Sequence, residues 1–280
     1  MRELDTKLIE EAVAQLCVQA NVELTPDIEA SLKEAEGRES CPLGRSILGK
    51  LRENLEFARQ TGIPVCQDTG MAVVFAELGQ EVVLRGMPFE EAVSAGVRRG
   101  YLEGCLRCSV VEDPLRRKNT GDNTPPILHT RIVPGDKVRL TVAPKGFGSE
   151  NMSAVKMFNP SAKREEIVAF VKETVGRAGS NPCPPVVVGV GIGGNFEYAA
   201  YLAKRALLRP LDRPNPDPFY AQLEEEMLQA VNSLGIGPQG FGGDVTALAV
   251  NVERYPTHIA GLPVAVNMGC HVTRHATKTI

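Results

Sequence analysis

Apolar residues recur at Leu8, Ile9, Ala12, Val13, Leu16 and Cys17, the spacing of one face of a helix. Thr6 stands just ahead of that stripe as a candidate N-cap. Thr25-Pro26-Asp27 reads as a second helix start: a capping residue, then proline where its missing N–H costs nothing. A third helix is predicted over residues 43–59, with Ile47, Leu48, Leu51 and Leu55 inward. Gly62 lies just beyond it, able to take the left-handed backbone that ends a helix. Cys17 and Cys41 fall on these helices or their boundaries and read as packing residues.

From residue 63 the pattern changes. Strands are predicted over residues 71–78, 185–192, 245–252 and 263–268. Helices are predicted over 89–101, 163–177, 195–208 and 217–234, the second of them stopping near Gly179. Segments 127–133 and 137–142 flank Pro134-Gly135-Asp136 and read as a hairpin. No internal repeat and no linker is visible. The expectation is one α/β (mixed α+β) domain over residues 1–280, with short mixed sheets covered by helices and a helical N-terminal layer.

Composition narrows the function classes. The chain is 43% hydrophobic and 23% charged, an ordinary globular balance. Net charge is −3 and no basic run exceeds Arg116-Arg117-Lys118, which speaks against nucleic acid. Apolar runs such as 186–190 fall far short of the roughly 18 residues of a membrane helix. Met1-Arg2-Glu3-Leu4-Asp5 is charged where a signal peptide needs an apolar core, so a cytoplasmic protein is expected. Seven cysteines, an odd number, fit a disulfide framework poorly.

The chemistry-bearing residues gather in loops. These are Val65-Cys66-Gln67-Asp68-Thr69-Gly70, residues 118–126, residues 145–151, Asn181-Pro182-Cys183-Pro184-Pro185 and residues 267–275. Three of the five hold one cysteine each: Cys66, Cys183 and Cys270. Three separated loop thiolates suit a shared iron–sulfur cluster, and three unrelated thiols in turns is the alternative.

Two other motifs carry less. Cys105-Leu106-Arg107-Cys108 lacks the second pair or nearby histidines that zinc needs, and it follows a helix where a redox pair would open one. Gly189-Val190-Gly191-Ile192-Gly193-Gly194 has the glycine spacing of a dinucleotide fingerprint. Its candidate acid, Asp212, lies in Arg209-Pro210-Leu211-Asp212-Arg213-Pro214, which is no strand. The glycines then serve close helix–strand packing, or an anion approaches the helix start.

Taken as a set, Cys66-Gln67-Asp68-Thr69-Gly70, Lys145-Gly146-Phe147-Gly148-Ser149-Glu150-Asn151, Asn181-Pro182-Cys183-Pro184-Pro185 and Gly269-Cys270-His271-Val272-Thr273-Arg274-His275 resemble the class I, iron–sulfur-dependent fumarate hydratases. Tartrate dehydratases are close relatives. The resemblance runs from about residue 40 to the C-terminus and is to the α subunit of the two-subunit form.

The resemblance implies a [4Fe–4S] cluster held by Cys66, Cys183 and Cys270, with one iron open as Lewis acid for the 2-hydroxyl and a carboxylate of malate. It implies that Gln67 and Arg107 contact substrate carboxylates, Arg107 through its planar fork. Asp68 would handle the leaving hydroxyl with His258 as its partner, and the main chain of Gly148 would lie against the substrate. Without the resemblance, Arg107 reads as a surface ion pair and His258 as a packing histidine. It assigns no role to His271, His275, Cys105 or Cys108.

A separate β subunit, in an assembly of two α and two β chains, would supply the base for the C3 proton and further anion clamps. The substrate is a small dicarboxylate. Fumarate hydratase, interconverting fumarate and (S)-malate, is the first expectation, and the L-tartrate dehydratase α subunit is the alternative. A reading from another class, an iron–sulfur carrier or electron-transfer subunit, would favour a fourth protein ligand such as Cys105 or Cys108.

Overall fold

The apolar stripe at the start of the chain does form a helix, and the elements around it follow in a mixed order. The computed structural model describes residues 1–280. First come β1 (Arg2–Asp5), α1 (Lys7–Val22), α2 (Pro26–Arg38), α3 (Pro42–Thr61), β2 (Met71–Gly79), β3 (Val82–Arg85) and α4 (Phe89–Glu103). Then follow β4 (Ile127–Val133), β5 (Val138–Lys145), α5 (Phe147–Glu150), β6 (Ala154–Phe158), α6 (Arg164–Ala178) and β7 (Val186–Gly194). The chain ends with α7 (Phe196–Ala206), α8 (Pro218–Asn232), β8 (Ala247–Thr257), β9 (Leu262–Gly269) and β10 (Ala276–Thr279). The class is mixed α/β with three small sheets and a helical N-terminal segment, as the pattern implied. No helix is long and apolar enough to cross a membrane.

The chain divides into two compact units. The first comprises Met1–Thr25, Leu55–Phe147 and Arg274–Ile280. Its core packs α1 and α4 onto a four-stranded sheet of order β10-β5-β2-β4. Ile9, Val13, Leu16 and Cys17 are buried as predicted, whereas Leu8 is 43% exposed. The two helices approach closely because α4 presents Gly96 and Gly100 to α1. A Cβ at Gly96 would stand 2.6 Å from the Glu10 carbonyl oxygen, and one at Gly100 2.7 Å from that of Ala14.

Two local expectations fail here for non-local reasons. Thr6 precedes α1 without capping it, because its hydroxyl donates to the Arg85 carbonyl and so ties α1 to β3. The turn 134–136 reverses the chain, yet β4 and β5 are not paired. β2 lies between them, parallel to β4 and antiparallel to β5. A strand buried at Ala72, Val74 and Ala76 gains more from two neighbours than a local hairpin does from one.

The second unit comprises Pro26–Asn54 and Gly148–Thr273. Its sheet, β6-β9-β7-β8, repeats the strand polarities of the first: β7 separates the consecutive strands β8 and β9, parallel to one and antiparallel to the other. Helices α6 and α8 pack with Val188, Val250 and Val266 in its core. Local signals hold well here. Asn195 caps α7 by accepting the Tyr198 N–H, Asp217 caps α8 by accepting that of Phe219, and Gly179 ends α6 with φ +55°.

The glycine run of β7 is resolved as packing. A Cβ at Gly189 would stand 2.0 Å from the Ala203 carbonyl oxygen, and one at Gly191 2.0 Å from that of Ala199. The main chain of α7 rests directly on the strand. Asp212 lies in the turn after α7 and closes no second strand, so a dinucleotide site is not formed.

Candidate functional site

In the first unit, the loop carrying Cys66, Gln67 and Asp68 is tied down from several sides. The N–H of Val65 donates to the Asn21 carbonyl at the end of α1, at 2.9 Å. Gly70 has φ +74°, and a Cβ there would lie 2.7 Å from the main chain of Lys145, so only glycine fits. The hydroxyl of Tyr101 lies 2.8 Å from the Thr69 carbonyl and 3.1 Å from that of Gly70. Asn123 Nδ2 also donates to the Gly70 carbonyl, at 3.1 Å, while its Oδ1 accepts the N–H groups of Ser109 and Val110. Burial pushes the Tyr101 hydroxyl up in pKa, so it remains a neutral donor.

That scaffold gives Asp68 one orientation. Its Oδ1 accepts the N–H of Gly70 and its Oδ2 that of Phe147, both at 3.0 Å. The Asp68 main-chain carbonyl accepts from Nη2 of Arg274. The thiol of half-buried Cys66 donates to Gln67 Oε1 at 3.3 Å. Thr69 Oγ1 donates to the Arg107 carbonyl at 3.0 Å, so the loop bearing the exposed Arg107 is joined to the Asp68 loop. The structure thus brings together Cys66, Gln67, Asp68 and Arg107. It also recruits Tyr101, Asn123 and Arg274, which sequence reasoning did not assign. Asn123 and Arg274 stood in chemistry-rich loops, whereas Tyr101 carried no signal beyond being a polar-tipped residue on an apolar helix face.

In the second unit, Cys183 and the residue after Cys270 meet. Cys183 is exposed at φ +54°, and its carbonyl accepts the N–H of His271 at 3.2 Å, with His271 Nδ1 3.0 Å away. Gln239 braces the same loop, its Nε2 donating to the Pro184 carbonyl at 2.8 Å and lying 3.2 Å from His271 Nδ1. The Cys270 carbonyl accepts the N–H and Oγ1 of Thr273, and Gly269 leaves no room for a Cβ beside that hydroxyl. Gly148 is exposed on α5, where a Cβ would stand 3.3 Å from the Asn181 carbonyl oxygen. Glu150, on the same short helix, pairs with Lys204 at 2.5 Å and accepts from Asn267 at 2.9 Å. His258 lies exposed in the link between β8 and β9, its Nδ1 accepting the N–H of Ala260. Its ring reaches neither cysteine loop of this unit through a hydrogen bond.

The seven cysteines are all thiols. Cys17 is fully buried in α1, and burial pushes its thiol up to about 12. Cys105 stands exposed at φ +50° after α4, and burial followed by the Asp122 charge pushes the Cys108 thiol up. Within either unit, no three His, Cys, Asp or Glu side chains converge as a metal site. Of the three loop cysteines, Cys66 belongs to the first unit, and Cys183 and Cys270 to the second. Each stands on braced, non-helical backbone, Cys183 exposed and Cys66 and Cys270 half-buried, and thiols in such loops have the chemistry an iron–sulfur centre uses.

The chain belongs to the fumarate hydratase (Fumerase) family, whose profile matches residues 10–279. The match begins well before residue 40, so α1 and α2 are part of it. The family is one of hydro-lyases and implies an iron–sulfur cluster. Among relatives, a protein of Methanocaldococcus jannaschii that carries a provisional name as an L(+)-tartrate dehydratase subunit alpha is 41% identical, over 97% of both chains. The L(+)-tartrate dehydratase subunits alpha of Escherichia coli and Shigella sonnei are each 32% identical, over 96% of this chain and 90% of theirs.

Proposed function

We propose that this chain is the α subunit of a hydro-lyase that removes water from L(+)-tartrate, working with a β subunit. Near-full-length identity to relatives named for that reaction carries the substrate assignment. This reading takes the place of fumarate hydration, the first expectation: the family is shared, but the relatives' names point to tartrate. Residues 1–280 act as one α-subunit domain in an assembly of two α and two β chains.

Cys66, Cys183 and Cys270 are the proposed cluster ligands. When bound, the cluster supplies a Lewis-acidic iron that weakens the C–O bond of the substrate hydroxyl. The remaining work falls to side chains. Asp68, oriented by the N–H groups of Gly70 and Phe147, exchanges a proton with the leaving hydroxyl at a carboxylate oxygen, with His258 as its partner in that transfer. Arg107 presents a planar fork for one carboxylate, and Gln67 donates an amide hydrogen to another carboxylate oxygen. The exposed main chain at Gly148 lets substrate approach without a side chain in the way. The β subunit supplies the base for the C3 proton.

Loss of water from tartrate leaves an enol that becomes a 2-oxo diacid, whereas loss of water from malate leaves an alkene. The α and β chains, produced together and purified anaerobically, should therefore form a ketone from L(+)-tartrate. Its kcat/KM should exceed those for D(−)-tartrate, (S)-malate and fumarate by about tenfold or more, or at least 1.4 kcal/mol in the transition state. A higher value for malate or fumarate would return the assignment to fumarate hydratase.

A further inference from the structure

Arg274 is a charged residue buried without a counter-ion. It is 5% exposed, its Nη2 donates to the main-chain carbonyl of Asp68, and its Nε is buried with no partner. No carboxylate lies within ion-pair distance of it. The Asp68 carboxylate, the nearby negative group, is already taken up by the N–H groups of Gly70 and Phe147. The hydroxyl of buried Tyr101 serves the next two carbonyls of the same loop, those of Thr69 and Gly70. Half-buried cations of the chain are managed differently: Arg209 pairs with Glu224, and Lys204 with Glu150.

Taking a guanidinium out of water without compensation is costly, and folded proteins keep such a group where it meets a partner charge. The loop it touches holds Cys66 at one end and Asp68 at the other. We propose that Arg274 is a positioning residue and the fixed counter-charge of the Cys66–Asp68 loop, offsetting the negative charge that a thiolate-ligated metal centre and a dicarboxylate bring there. Naming that anion rests on the function proposed above. The buried, unpaired charge does not.

Two variants of the full-length chain test this, each with and without anaerobic reconstitution by ferrous iron and sulfide. Arg274→Gln removes the charge and keeps an amide donor on a shorter side chain. Arg274→Lys keeps the charge and loses the fork. Without cluster, Arg274→Gln should melt no lower than wild type, because an uncompensated charge has gone. With cluster, it should show a lower midpoint potential and several-fold faster loss of visible absorbance to a chelator, while Arg274→Lys stays near wild type.

Marked destabilisation of the cluster-free Arg274→Gln chain, or its failure to fold, would make Arg274 a structural residue and overturn the proposal. An unchanged potential would do the same, as would an Arg274→Lys chain that folds normally with a shifted one. If wild type takes up no cluster, the metal-centre reading fails separately. L(+)-tartrate then decides the question: it should raise the melting temperature of wild type and Arg274→Lys but not of Arg274→Gln, and equal shifts would overturn the inference.

Discussion

The Tyr101 hydroxyl donates to the main-chain carbonyl of Thr69 at 2.8 Å, so the last turn of α4 fixes the loop that carries Cys66, Gln67 and Asp68. Tyr101→Phe should cost about 1–2 kcal/mol in chemical denaturation, since it strips a buried carbonyl of its donor while the Gly70 carbonyl keeps Asn123.

Alkaline pH should weaken the first unit. The Tyr101 hydroxyl and the Cys17 thiol both have raised folded pKa values because burial disfavours their charged forms, the thiol moving from 9.0 to about 12. The unfolded chain therefore loses those protons first. Stability from Cys17 is fully present below pH 9.0 and is lost as pH rises through about 12, at up to about 1.4 kcal/mol per pH unit. Denaturation midpoints followed across that range should fall for wild type and fall less for Cys17→Ala. Parallel slopes would refute the assignment.

Glu39 is fully buried, and its carboxylate accepts the N–H groups of Cys41, Asp244 and Val245 at 2.9–3.0 Å. Glu39→Gln turns one acceptor into a donor facing a donor. A loss of about 2–3 kcal/mol is expected in thermal or urea unfolding.

Cys66→Ser, Cys183→Ser and Cys270→Ser should each abolish cluster absorbance after anaerobic reconstitution, because a hydroxyl is a poor ligand for a soft metal site. Cys17→Ser and Cys41→Ala should retain it. A normal spectrum in any of the first three removes that residue from the ligand set.

Arg107→Lys keeps the charge but replaces two parallel donors by one. A tenfold or greater fall in kcat/KM is expected, about 1.4 kcal/mol. An unchanged value would place Arg107 outside the site.

Sequence alone determined what a few consecutive residues can enforce. Gly62 and Gly179 end helices because they take positive φ cheaply, Asn195 and Asp217 begin them by accepting an N–H two or three residues on, and the uninterrupted Val186–Gly194 run forms a buried strand. Cys66, Cys183 and Cys270 were legible as loop residues because glycine, proline and polar neighbours bar a helix there. What tertiary structure decided is which distant groups meet. Thr6 abandons its cap for Arg85, β2 and β7 each lie between strands that a local turn would have paired, and the glycines of β7 answer to the backbone of α7. The support of the Asp68 loop is of the same kind. Tyr101, Asn123 and Arg274 lie 31, 53 and 206 residues from the carbonyls of Gly70, Gly70 and Asp68 they serve. A main-chain carbonyl looks the same at every position in a sequence, so only the folded chain reveals which one a side chain must satisfy.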